Sequence, residues 1–229
     1  MKILVTGAGG FIGKWLIKAI NDTHNKAIIF KGDITDKSTF PKNNFDIVIH
    51  LAALVTHIRD YNYKELYRVN VIGTKNLLET YPESKVIYIS TTDVARVNLS
   101  DYARTKLQAE KLVQKRRNLI IRLPSVFGPG QKQEKLIPML FRKYCNNRKC
   151  SIHNNNLRQY AYVEDVAKYI TGNLNKIGIK TMKSFKIRNF DLDKMIRVLC
   201  TKNNISNLNS ERQHFFECLK KCLRFYKKK

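Results

Sequence analysis

Residues 1–20 read MKILVTGAGGFIGKWLIKAI, and the four glycines between Gly7 and Gly13 raise the question of what they are for. Ile3, Leu4 and Val5 before them read as a buried strand, and Trp15, Leu16, Ile17 and Ile20 after them recur at helical spacing. A glycine-rich turn between a strand and a helix lets the backbone approach a ligand closely. It also aims the helix N-terminus, with its unpaired N–H groups and partial positive charge, at an anion. The spacing Gly7-x-x-Gly10-x-x-Gly13 meets the Gly-x-Gly-x-x-Gly dinucleotide fingerprint only in part, through Gly9. Taken alone, these glycines also fit a tight turn that binds nothing, so the rest of the chain has to decide.

Strand and helix patterns alternate after that turn. KAIIF (Lys26–Phe30) and FDIVIHLAA (Phe45–Ala53) are strands, the second continuous and β-branched as buried parallel strands are. Tyr63 to Tyr81 carries Leu66, Val69, Gly73, Leu77 and Leu78 at helical spacing. KVIYIS (Lys85–Ser90) is a strand, Asp101–Lys115 a helix, and NLIIRL (Asn118–Leu123) a strand stopped by Pro124. Such alternation predicts βαβ units, right-handed crossovers and an α/β fold with a doubly wound parallel sheet. Beyond Gly128 the pattern turns helical, over Glu134–Cys145, Glu164–Asn173 and Asp191–Cys200, with one short strand near Phe185–Ile187.

The 229 residues, 43% hydrophobic, suffice for one domain with a small appendage. The longest apolar run, IVIHLAALV (Ile47–Val55), is too short to span a bilayer, and the glycine turn ends the N-terminal apolar run too early for a secretory leader. Five cysteines without framework spacing suit a reducing compartment, so the expected location is cytoplasmic. The net charge of +25 would attract any polyanion, yet the lysines are spread along the whole chain. That spread argues against nucleic acid as the main ligand, and an anionic small molecule gains from the same field.

Parallel sheets of this kind bind ligands at the carboxyl ends of their strands. The unusual residues stand there: the glycine turn, Gly32-Asp33, Leu51-Ala52-Ala53, Ser90-Thr91-Thr92 and Pro124-Ser125. In order, TGAGGFIG, GDITD, VIHLAA, VNVIGTKNLLE, YISTTDV, YARTK, RLPSVFGPG and RQYAYVEDVA resemble the segments of the extended short-chain dehydrogenase/reductase family, the nucleotide-sugar epimerases, dehydratases and reductases. The likeness covers about residues 1 to 190. It implies a Rossmann-type domain over 1–130 and a shortened, mostly helical substrate-binding portion over 131–229.

Position by position, the resemblance assigns a cofactor pyrophosphate to Gly7, Gly10, Phe11, Ile12 and Gly13, and the adenine to Asp33 and Ile34. Leu51, Ala52, Ala53 and Pro124 would line the path to the nicotinamide. Asp33 is also a natural turn or capping aspartate. Tyr102 and Lys106, four apart and so on one helix face, would form the catalytic pair and touch the cofactor ribose. Thr91 would hydrogen-bond the reacting oxygen, Thr92 would line the sugar site, and Asn70 would tie a helix to its neighbours. A phenol with a pKa near 10 is a poor base, and the expectation is that the lysine and a positive nicotinamide lower it. Arg158 would grip the diphosphate of a nucleotide sugar, its alternative being a plain surface arginine. Dehydratases of this family follow the threonine with Asp-Glu; here Thr92 and Asp93 follow Thr91, which disfavours dehydration.

The chain also departs from the family. One strand instead of two separates the first helix from GDITD, a shortening similar to that of dTDP-4-dehydrorhamnose reductases. Lys31 stands where a ribose-binding acid is expected, which tilts the cofactor from NAD towards NADP. Only eleven positions separate Thr91 from Tyr102. The expected function is therefore an NAD(P)-dependent epimerase or reductase acting on a nucleotide sugar. A 3β-hydroxysteroid-dehydrogenase-like reductase and a non-catalytic NmrA-like sensor are the alternatives. No metal is expected: Cys145, Cys150 and His153, or Cys218 and Cys222, lack four ligands at a recognised spacing and read as buried thiols. Phe215, Leu219, Cys222 and Tyr226 form one stripe of a tail helix that docks on the protein, with contact to a membrane surface as its second reading. A homodimer stays open.

Overall fold

The computed structural model describes residues 1–55, 60–146, 148, 152, 154–202 and 210–227. In chain order, β1 (Lys2–Thr6), α1 (Phe11–Asn21), β2 (Lys26–Ile29) and β3 (Ile47–His50) lead to α2 (Tyr63–Tyr67), a π-helical turn (Arg68–Ile72) and α3 (Gly73–Thr80). Then come β4 (Lys85–Thr91), α4 (Asp101–Val113), β5 (Leu119–Leu123), β6 (Ser125–Phe127), α5 (Leu136–Cys145), β7 (Leu157–Tyr162) and α6 (Val163–Thr171). β8 (Gly178–Thr181), β9 (Phe185–Arg188), α7 (Asn189–Lys202) and α8 (Ser210–Lys227) follow.

The chain forms two compact units, Met1–Leu123 with Val166–Met182, and Pro124–Asp165 with Lys183–Lys229. In the first, six parallel strands run in the order β2-β1-β3-β4-β5-β8. Ile3, Leu4, Val5, Val48, Ile49 and Ile87 are fully buried, as strands covered on both faces require. This is the expected doubly wound sheet. Its strand order reverses between β1 and β3, so the crevice at their carboxyl ends is the topological switch point where ligands bind in such sheets.

A boundary after residue 130 does not describe this division. The first unit ends at Leu123, and residues 166–182 return to it because β8 pairs with β5, Leu119 opposite Gly178 through Arg122 opposite Thr181. β8 escaped the sequence pattern because, as a largely exposed edge strand, it carries no apolar run.

The second unit is less helical than its sequence reads. β6 pairs in parallel with β7, and β7 antiparallel with β9, giving a three-stranded sheet. A three-residue strand such as β6 is too short to show a period. Phe127, Tyr160 and Tyr162 from this sheet share a core with Leu140 and Phe141 of α5, Leu192, Ile196 and Leu199 of α7, and Phe215, Leu219 and Cys222 of α8. Phe215 stacks on Phe185, with ring centroids 4.3 Å apart. The tail stripe thus docks as expected. Cys218 and Cys222 are buried, the half-buried Cys145 and Cys200 bring their sulfurs to 3.4 Å, and Cys150 and His153 lie outside the described residues. No helix among the described residues is long and apolar enough to cross a membrane.

Removing a buried leucine leaves a cavity as well as losing transfer energy. Leu219→Ala should therefore cost about 2–5 kcal/mol in urea unfolding, while Val97→Ala, at a position 98% exposed, should stay within about 0.5 kcal/mol of the parent. A Leu219→Ala loss below about 1 kcal/mol would contradict the docking of α8.

Candidate functional site

The glycine turn closes the switch point. Gly7 has φ +69°, and a Cβ there would lie 2.7 Å from Ala52 N and 2.8 Å from Leu51 C. Only glycine allows the backbone after β1 to lie against the backbone after β3. At Gly13 a Cβ would fall 2.5 Å from the Gly7 oxygen, so this glycine seats α1 on the turn. A Cβ on Gly9 would meet nothing within 4 Å, and one on Gly10 only the Gly7 oxygen at 3.2 Å. Gly9 therefore faces open space, while a side chain at Gly10 would press on the Gly7 carbonyl. No side chain of its N-cap residue caps α1, and no acid stands in its first turn, so the positive helix end is not neutralised from within the helix. Phe11 and Ile12 begin this helix, half-buried.

A chain of buried hydrogen bonds runs from this turn to α4. Ala52 N–H donates to Thr6 Oγ1 (3.2 Å), which lies 2.7 Å from His50 Nδ1. His50 Nε2 lies 3.0 Å from Thr74 Oγ1, whose hydroxyl donates to the Asn70 carbonyl at 2.7 Å. Thr74 has one hydroxyl hydrogen, so His50 Nε2 is the donor to it and Nδ1 accepts from Thr6. Burial first, and the Lys106 cation second, push the His50 pKa down to about 3, which keeps the ring neutral. The Asn70 side chain accepts from Leu54 N–H at 2.8 Å and donates to Leu54 O and Thr105 Oγ1, each at 3.1 Å. Thr105 Oγ1 donates to the Tyr102 carbonyl at 2.8 Å. Asn70 thus ties the π-helical turn both to the loop after β3 and to α4. Thr6, His50 and Thr74 went unnoticed in the sequence; the one signal was a histidine closing an otherwise apolar strand.

Ser100 caps α4 by accepting from Ala103 N–H, and this start places Tyr102 and Lys106 one turn apart. Lys106 is 2% exposed and lies over the Tyr88 ring, Nζ 4.1 Å from its centroid. Burial pulls its pKa down to about 7 against the opposing pull of Glu110. Glu110, fully buried one turn further on, takes a bidentate pair from Arg122 of β5 at 3.1 and 2.7 Å. Tyr102 is half-buried. In the protein by itself the phenol is pushed up, by burial first and by the Asp93 carboxylate second; the lowering expected from the sequence also requires the positive nicotinamide beside it.

Thr91 ends β4 and caps the short 3-10 turn Thr92–Ala95. Its Oγ1 accepts from Asp93 N–H at 3.1 Å and donates a long bond to Asp93 Oδ2 at 3.3 Å. Asp93 also pairs with Arg96 at 2.6 Å. Thr91, Asp93 and Tyr102 are therefore linked, with half-buried Thr92 opening the turn. Asp33 has the turn role: its Oδ1 accepts from Thr35 N–H and Oγ1 at 2.8 and 2.9 Å, which holds the carboxyl below the usual range. Ile34 is buried and packs where a Cβ on Gly73 would stand. Lys31 is exposed just after β2, and Leu51, Ala52 and Ala53 are half-buried. Pro124 and Arg158 belong to the second unit, Arg158 exposed on β7 opposite Ile187 of β9.

Gly7→Ala should destabilise by at least about 2 kcal/mol, from its left-handed backbone and the clash with residues 51–52, whereas Gly9→Ala should be neutral within about 0.5 kcal/mol. Equal denaturant midpoints for the two would refute the close approach. The His50 pKa lies below its unfolded value near 6.5, so between these values the unfolded chain binds more protons and stability falls as pH falls. From pH 6.5 to 4.5 this amounts to about 2–3 kcal/mol. His50→Gln, whatever its stability at pH 7, should lose most of that slope; an unchanged slope would place the acid sensitivity elsewhere.

The family model of the NAD dependent epimerase/dehydratase family matches residues 3–180. A dTDP-D-glucose 4,6-dehydratase of Dictyostelium discoideum is 32% identical over 271 aligned positions, covering 85% of this chain and 61% of its own length. The chain thus spans about three fifths of that relative. The structure of UDP-glucose 4-epimerase from Thermotoga maritima, solved with UDP-glucose, superposes with a TM-score of 0.83 at 18% identity over 100% of this chain and 99% of that one. RMD from Pseudomonas aeruginosa, complexed with NADPH, gives 0.82 at 20% identity over 100% and 99%. These two likenesses are of fold, a Rossmann-like parallel sheet. With the family model covering most of the sequence and the glycine turn at the switch point, the chain belongs to the NAD dependent epimerase/dehydratase family.

Proposed function

We propose that this chain binds a nicotinamide dinucleotide and acts, as an epimerase or reductase, on a nucleotide-activated sugar. The observation that carries this reading is Lys106. A chance Tyr-x-x-x-Lys in a chain with 43 basic residues would leave its ammonium in water, yet among the described residues Lys106 is the one buried lysine. Burying it costs free energy, and a site that needs a cation beside Tyr102 accounts for that cost.

The glycine turn fits a pyrophosphate, because Gly9 leaves space that no side chain fills in front of a helix end whose N-cap residue offers no side-chain cap. In this reading Gly7, Gly10, Phe11, Ile12 and Gly13 hold the pyrophosphate, and Asp33 and Ile34 the adenine. Lys31 suits a 2′-phosphate and so favours NADP. Leu51, Ala52, Ala53 and Pro124 line the nicotinamide side, and Lys106 the ribose. A bound dinucleotide supplies the hydride donor or acceptor. Tyr102, its phenol pushed up, holds a proton at Oη and gives it to a substrate carbonyl oxygen, or recovers it from the hydroxyl. The hydroxyl hydrogen of Thr91, now on a long bond to Asp93, is free to orient that oxygen instead. By the family resemblance Arg158 would take the sugar diphosphate in bidentate fashion, and Thr92 would contact the sugar. Thr92-Asp93 in place of an acid pair favours epimerisation or reduction over elimination of water.

Thermal shift with NAD, NADP and UDP-, dTDP- and GDP-sugars tests binding, since a ligand of the native state raises its melting temperature. One dinucleotide should stabilise the parent and not Gly10→Val; no shift at millimolar concentration with either would sink the proposal. Tyr102→Phe should keep that shift while turnover drops by roughly 10²–10⁴-fold, and Lys106→Met should lose both. Undiminished turnover in Tyr102→Phe would remove Tyr102 from the chemistry.

A further inference from the structure

The cysteine spacings argue against a metal, yet folding assembles a ligand set that no spacing displays. His214 and Cys218 stand four apart on one face of α8, and Asp165 of α6, in the same unit, reaches the same point. His214 Nε2 lies 2.7 Å from Asp165 Oδ2 and 3.6 Å from Cys218 Sγ. All three ligand atoms lie within 4.8 Å of one another.

Hydrogen bonding at Nε2 can serve only one of its two close neighbours at a time. A neutral imidazole nitrogen either donates or accepts. If Nε2–H donates to Asp165, it has no lone pair for the Cys218 thiol; if it accepts from the thiol, its lone pair faces the carboxylate. A cation in the centre satisfies all three groups at once. Tetrahedral zinc, with bonds of about 2.0 Å to N and O and about 2.3 Å to S, sets N···S near about 3.6 Å and N···O near about 3.3 Å. The first is already met, and the second needs the carboxylate to retreat by about half an ångström.

The surroundings also suit a cation. In a chain of net charge +25, Glu164, Asp165 and Glu217 gather here against Lys220 and Lys221. The His214 side chain is 65% exposed and that of Asp165 34%, which leaves a way in and a side for water as the fourth ligand. We propose that Asp165, His214 and Cys218 form a three-ligand site for a divalent transition metal of the zinc class. On binding, the thiol proton leaves to solvent, and lone pairs from Sγ, Nε2 and Oδ2 form the three metal bonds, with no change of oxidation state. This site is independent of the proposed sugar chemistry.

Titration of the reduced full chain with Zn²⁺ by calorimetry, and with Co²⁺ by absorption, tests it. One equivalent should bind, and cobalt should show a thiolate-to-metal charge-transfer band. Cys218→Ser should abolish the band, and His214→Gln and Asp165→Asn should each weaken binding by at least about tenfold. A Cys145→Ser/Cys200→Ser double variant, which removes the other close thiol pair, should leave band and stoichiometry intact. The proposal is overturned if no stoichiometric binding occurs, if the band survives in Cys218→Ser, or if it disappears in the double variant. Should Cys218→Ser fail to fold, the exposed His214→Gln decides: affinity equal to the parent's overturns the site, and a tenfold loss supports it.

Discussion

The first unit depends on a histidine that has no freedom left. His50 sits at the end of β3 with both ring nitrogens committed, one to Thr6 of β1 and the other to Thr74 of α3. A buried imidazole of fixed tautomer acts as a rigid strut, because turning it would leave both ring nitrogens without partners away from water. Through Thr6 it fixes the backbone at Ala52, against which Gly7 packs, and through Thr74 and Asn70 it reaches Thr105 and the carbonyl of Tyr102. The glycine turn and the Tyr-Lys helix therefore share one hydrogen-bonded frame.

Charge is handled sparingly inside that frame. The chain carries 43 basic side chains, and lysine is cheapest to keep in water. Among the described residues Lys106 is the one buried lysine. Its burial draws the ammonium down to about 7, and Glu110, itself held by both arms of Arg122, partly restores it. Two turns of α4 thus carry a phenol, a buried lysine and a buried carboxylate. The acid that disfavours ionisation of Tyr102 is Asp93, from the turn that Thr91 caps, so the short connection between β4 and α4 bears directly on this phenol.

The second unit follows a different logic. It gathers aromatic rings from its small sheet around α8, with Phe215 packed against Phe185 and Phe127. α8 uses its apolar face for this core and its edge for the His214–Asp165–Cys218 cluster. One helix thus combines docking with a ligand set, and the two share Cys218, whose burial serves both.

The alternation of strands and helices up to β5, the doubly wound sheet and the glycine turn were legible in the sequence, because each rests on local periodicity or on residues adjacent in the chain; Tyr102 and Lys106 were singled out by the family resemblance and not by spacing. Gly7 and Gly13 could be read as a turn, but only the structure shows that Gly7 is required by the backbone at Leu51 and Ala52, some 45 positions away. The edge strand β8 and the small sheet β6-β7-β9 were not legible, since short or exposed strands carry no apolar period. The setting of the Tyr102 phenol was not legible, because a pKa is the sum of everything folded around a group, here burial first and Asp93 second, and spacing reveals only its neighbours on the same helix. The Asp165, His214 and Cys218 cluster draws on residues 49 positions apart, and chain distance holds no trace of it. Sequence alone determined the elements and their succession, since backbone preference and apolar period act over a few residues; the tertiary structure decided which polar groups meet and what charge they carry, since burial and long-range contact exist only once the chain has folded.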